Sequence, residues 1–139
     1  MKIGRPKKKT TPANSKELAK QIVNACEEAK GQDLVILNVS EVFGLSDYFV
    51  IVSGRSDRQS QGISNRILNE LKEVGVEPTA IEGYEGGQWI LMDYDDVIVH
   101  VFYGPTRDYY DLESLWLSAE KITFPASGKG AANKDKAAA

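Results

Sequence analysis

The sequence predicts a mixed α/β (α+β) domain, a five-stranded mixed sheet with about three helices packed on it. Three observations carry this. Apolar residues alternate between helical and strand spacing from residue 14 to 125. Gly residues and short polar links fall where the spacing changes. A chain of 139 residues, 42% apolar, suits one packed domain, not two.

The elements follow in order. Asn14, with Glu17 three residues on, makes a capping-box start. Leu18, Ile22, Cys26 and Ala29 recur at helical spacing, and Gly31 is a natural stop. Residues Asp33 to Val39 and Asp47 to Ser53 read as buried strands. Ser56 or Asp57 caps a second helix, with Ile63, Ile67, Leu71 and Val74 as its stripe and Gly75 as its end. Thr79 to Glu82 is a short strand, followed by a Gly-rich turn from Glu82 to Gln88. Trp89 to Asp93 and Val97 to Phe102 are strands joined tightly by Tyr94-Asp95-Asp96. Asp108 to Lys121 reads as a third helix with Leu112, Leu115, Trp116 and Ala119 along one face. The strands at 47–53 and 79–82 flank a helix, which predicts a right-handed parallel crossover. The remaining neighbours have short links and are expected to run antiparallel.

Charge divides the chain into three parts. Residues 1–13 hold five positive charges and no acid and are expected to be a disordered basic arm. Residues 126–139 are low in complexity, carry a net +2 and are expected to be a disordered tail. Against a total of −3, that leaves −10 on the body, residues 14–125. Such a body is repelled by phosphate backbones and attracted to basic proteins. Little direct RNA contact is expected beyond the arm. The single Cys26 has no partner for an internal disulfide, lies in an apolar helical stripe and reads as a small buried hydrophobe. No apolar run is long enough for a membrane span, and no signal-peptide pattern opens the chain. The expectation is a cytoplasmic protein.

The residues offer little to an enzyme. The one histidine, His100, lies inside the strand pattern VIVHVF, near Asp93 and Asp96. It reads as a structural histidine or as half of an acid–base pair, but no nucleophile motif accompanies it. One Cys and one His match no zinc pattern, so no metal or other cofactor is expected. A nucleotide-binding alternative would use Ser53 to Ser56 with Asp93 and Asp95, although the phosphate-loop motif is absent. The late part of the chain is richer. Trp89, Tyr103, Tyr109, Tyr110 and Trp116 are interleaved with Arg107, Asp108, Asp111 and Glu113. Part of this set must be core. The rest has the composition of a protein-docking surface, because Trp and Tyr bury much area with few rotors and carboxylates pair with a basic partner.

A family resemblance rests on these residues. Asp47-Tyr48-Phe49-Val50-Ile51, Ser53-Gly54, Arg58, Glu82-Gly83, Trp89, Asp93, the run Asp96 to Phe102, Arg107, Tyr110, Leu112-Glu113 and Leu115-Trp116 together resemble the ribosomal silencing factor (Iojap-like) family. The resemblance covers about residues 15–120. It implies a nucleotidyltransferase-like mixed sheet without catalysis, and a homodimer. It also implies docking on large-subunit ribosomal protein fourteen, which sterically blocks the small subunit and represses translation. At matching positions it assigns partner contacts to Trp89, Asp93, Asp96, His100, Arg107, Tyr110 and Glu113. Two positions depart from the pattern: Gln59 follows Arg58 where relatives often have His, and Asp95-Asp96 stands where many have Gly-Asp.

Overall fold

The structure, a computed structural model, describes residues 11–124. Its elements are α1 (Ser15–Glu28), β1 (Gln32–Asn38), β2 (Tyr48–Gly54), α2 (Asp57–Lys72), β3 (Ala80–Glu82), β4 (Trp89–Asp93), β5 (Val97–Tyr103), α3 (Gly104–Tyr110), α4 (Leu112–Leu115) and β6 (Glu120–Ile122). The predicted helix starts are in place. The Asn14 side chain accepts from the Glu17 N–H at 2.9 Å, and the Ser56 hydroxyl accepts from the Gln59 N–H at 3.0 Å. The end of α1 differs from expectation. The left-handed residue is Lys30 (φ 61), not Gly31. Gly31 is required for space, since a Cβ there would collide with the Val52 side chain.

The mixed α/β class holds, with six strands in place of five, in the order β3-β4-β5-β2-β1-β6. The added strand comes from the expected third helix. Asp111 adopts a left-handed conformation (φ 49) and divides that segment into the short α3 and α4. The chain then extends, and Ile122 pairs with Ile36 along the outer edge of β1, covering backbone groups that would otherwise be an open sheet edge. The parallel pairing also moves. β2 pairs in parallel with β5, and β3 lies at the far edge beyond β4. Burial explains the order. β5 is buried on both faces and takes a central place, whereas Ala80, Ile81 and Glu82 of β3 are all exposed. The expected antiparallel pairs β1–β2, β3–β4 and β4–β5 are present.

The sheet has two unlike faces. On the first, α1 and α2 bury Leu18, Ile22, Cys26, Ile63, Ile67 and Leu71 against Val50, Val52, Ile90, Met92, Val99 and Val101. Each such side chain contributes about 2 kcal/mol through lost contact with water. Burial also pushes the Cys26 thiol well above its usual pKa, so it stays protonated and inert. On the second face, Leu37, Phe49, Ile51 and Phe102 meet Leu112 and Ala119, with Phe43, Trp89, Ile98 and Trp116 partly buried around them. Phe43, Phe49 and Trp116 pack edge to face at 5.3 to 5.4 Å. Of the predicted arm, residues 11–13 are described, and the Thr11 hydroxyl donates to the Val74 carbonyl at 2.8 Å. The rest of the arm and the predicted tail at 126–139 lie outside the described residues.

Candidate docking face

Strand alternation places Trp89, Ile98, His100 and Phe102 on the second face, because side chains opposite one another across β4 and β5 share a side. Trp89 is half-buried. Its indole packs on Phe102 at 4.8 Å and on Tyr110 of α3 at 5.1 Å. Its Nε1–H donates to His100 Nδ1 at 3.1 Å. His100 is 5% exposed, and its ring meets Phe49 at 4.9 Å and Phe102 at 6.4 Å. Burial lowers its pKa to about 4, so the ring is neutral at pH 7. Because Nδ1 accepts, the proton sits on Nε2, which is buried and has no hydrogen-bond partner. The Gly-rich turn before Trp89 is shaped by Gly83 (φ 80), where a Cβ would collide with the Trp89 carbonyl oxygen.

Around this aromatic centre the second face is rimmed by apolar and acidic groups. Leu115 (74% exposed), Leu117 (83%), Tyr109 (81%) and Tyr110 (53%) project from the segments that cap it. Leu45, in the β1–β2 loop, is 78% exposed. At the β4–β5 turn lie half-buried Asp93 and exposed Asp95 and Asp96. An Asp93 carboxylate oxygen accepts from the Asp95 N–H at 2.8 Å, and the Asp96 carbonyl accepts from the Asp47 N–H at 2.8 Å. At the other end of β5, Asp108 within α3 and Asp111 at its C-terminal end are exposed.

Arg107 has a different setting. It is 8% exposed, and its donors are spent inside the protein. Nε and Nη2 grip Glu113 at 3.1 and 3.0 Å, while Nη1 donates to the Asp33 carbonyl at 2.7 Å and the Ser53 hydroxyl at 2.8 Å. This fork ties α3 and α4 to the ends of β1 and β2. Of the residues singled out from the sequence, Trp89, His100 and Tyr110 are gathered together. Asp93 and Asp96 stand at the turn, and Arg107 with Glu113 forms a separate internal tie.

The nucleotide-binding constellation is not assembled. Ser53 aligns with Phe102 and hence with Trp89, whereas Asp93 aligns with Ile98 and hence with Phe49. Asp93 therefore lies four residues down the strand from the level of Ser53, about 13 Å at strand rise. The Ser53 hydroxyl is engaged by Arg107, and Ser56 is engaged as a helix cap. Among the described residues no group of three metal-ligating side chains comes together, and no helix is long and apolar enough to cross a membrane.

The sequence reading missed Leu117 and Leu45, and it placed Leu115 on a core-facing stripe. The break at Asp111 turns Leu115 outward, and Leu117 falls off the helical stripe that guided the reading.

Comparison with known proteins places this geometry. Residues 12–139 match the family model described as ribosomal silencing factor during starvation. The chain is 40% identical to the ribosomal silencing factor RsfS of Chromobacterium violaceum, over 78% of this chain and 88% of that one. It is 37% identical to the ribosomal silencing factor RsfS of Bacillus subtilis, over 74% of this chain and 87% of that one. A crystal structure of a Chromobacterium violaceum protein superposes with a TM-score of 0.73 at 37% identity, covering 82% of this chain and 94% of that one. The chain belongs to the ribosomal silencing factor family.

Proposed function

We propose that this translation regulator docks through the second face of its sheet on large-subunit ribosomal protein fourteen, and that its bulk there blocks joining of the small subunit. The observation that carries the reading is the makeup of that face. A Trp89–Tyr110 aromatic centre and exposed Leu115 and Leu117 are bordered by Asp93, Asp95, Asp96, Asp108 and Asp111. Aromatic and apolar groups supply the affinity of a protein interface, and the carboxylates select and steer a basic partner. Ribosomal proteins are basic, and the body carries −10. Steric exclusion needs no cofactor and no reaction. In this reading Trp89 and Tyr110 are contacts, Asp93 and Asp96 are the charged rim, and Arg107 with Glu113 holds α3 and α4 in place. The protein is proposed to act in the cytoplasm and to form a homodimer.

The test is sedimentation of purified ribosomal subunits with the protein. It is expected to travel with the large subunit and to reduce the fraction of joined ribosomes. Trp89→Ala, folded by circular dichroism, is expected to weaken large-subunit binding by about 2 kcal/mol, the scale of an interface hot spot. Wild-type binding by this variant would remove Trp89 from the role.

A further inference from the structure

We infer that His100 is a positioning residue for docking: its Nδ1 lone pair fixes the Trp89 indole in the orientation the partner meets. This rests on the docking reading above.

His100 is ill suited to stabilise the strand it occupies. Its neighbours Ile98, Val99, Val101 and Phe102 are apolar, its ring is surrounded by Phe49, Trp89 and Phe102, and its Nε2–H is buried without an acceptor. A buried donor left unmade is a cost that an aliphatic side chain would avoid. Among the described residues, the Trp89 indole is the hydrogen-bond partner this ring has.

That bond sets geometry. An indole on a flat aromatic floor can slide and turn, because ring contacts are only weakly directional. The 3.1 Å bond from Nε1 to Nδ1 fixes the indole edge that faces His100. The ring is then held 31° from the Phe102 plane and 49° from that of Tyr110, with Tyr110 53% exposed beside it. A pre-oriented aromatic anchor loses less freedom when a partner docks, which raises affinity without any contact from His100 itself. The depth of His100 accords with this: it supports the face from below.

Three variants test the inference. His100→Leu removes the acceptor. His100→Asn keeps an acceptor near the Nδ1 position. His100→Gln carries its amide one carbon farther from the backbone. The readouts are large-subunit affinity by sedimentation and hydrogen exchange of the Trp89 indole N–H, assigned by NMR with Trp116→Phe as reference. His100→Leu is expected to speed indole exchange and to weaken binding about tenfold, with His100→Asn recovering most of both. If His100→Leu does not fold, His100→Gln is expected to show the same losses relative to His100→Asn. Binding within about twofold of wild type in His100→Leu or His100→Gln, while Trp89→Ala still loses binding, overturns the positioning role and leaves the docking face standing. Wild-type binding by Trp89→Ala overturns the docking reading itself, and this inference with it.

Discussion

On one face of the sheet, α1 and α2 cover a continuous apolar layer in which Ile22, Ile63, Ile67, Ile90 and Met92 are fully buried. On the other, two short helices and a loop cover only part of an aromatic layer. They leave Leu115, Leu117, Tyr109 and Leu45 more than 70% exposed, and they leave a buried histidine donor without an acceptor. Both faces are built from the same strands, so the difference lies in the cover. The first is closed and apolar, which is what stability selects. The second tolerates exposed apolar groups and clustered carboxylates, each costly to a monomer alone and useful to a surface that meets a partner.

The division predicts which variants separate folding from binding. The largest effect is expected on the closed face. Ile67→Ala leaves a cavity beneath α2 and is expected to cost about 3 to 4 kcal/mol in urea unfolding, with large-subunit affinity of the folded protein unchanged. A parallel loss of affinity would break the comparison. Arg107→Ala cuts the tie between α3–α4 and the ends of β1 and β2. It strands Glu113, the Asp33 carbonyl and the Ser53 hydroxyl, and is expected to cost about 3 kcal/mol by the same measurement. Because it frees α3 and α4, it is also expected to weaken binding. Loss of stability alone would show that those helices are not part of the docking face.

His100 gives the open face a pH signature. Its pKa is lowered to about 4 by burial, against 6.5 for the exposed group. As pH falls the unfolded chain takes up this proton first, so the His100 contribution to stability is intact above about pH 6.5 and is lost progressively toward pH 4. Denaturant melts across this range are expected to show wild type losing up to about 3 kcal/mol relative to His100→Leu, which has no such proton to take. Parallel curves would mean that the ring is not held in the neutral form. The smallest effect is expected at the end of α1, remote from both claims. Lys30→Gly relieves a left-handed φ of 61 and is expected to stabilise by about 0.5 kcal/mol.

Much of the closed face was legible in the sequence because its signals are local. The stripe Ile63, Ile67, Leu71 and the caps Asn14 and Ser56 depend on spacing and on neighbours within four residues. The strand order was less legible, since pairing β2 with β5 is decided by which strand is buried on both faces, a property of the assembled sheet. The third helix was misread because Leu112, Trp116 and Ala119 keep helical spacing although the left-handed Asp111 breaks the helix before them and α4 ends at Leu115, and the edge of β1 then claims residues 120–122. At the candidate docking face, residue type singled out Trp89 and Tyr110, while Asp93 and Asp96 entered through the family resemblance. Residue type did not reveal that Arg107 is consumed by Glu113, Asp33 and Ser53, or that His100 binds Trp89, because these contacts join residues 6 to 74 positions apart.

Hydrogen–deuterium exchange of the chain with and without purified large subunits reads out which face of the sheet is covered on binding. Docking through the second face predicts that the protection gained on binding is confined to β4, β5, the β4–β5 turn and the α3–α4 segment, with α1 and α2 unchanged. Protection gained along α1 and α2, with Trp89, Tyr110 and the acidic turn left as they are in the free protein, would contradict it.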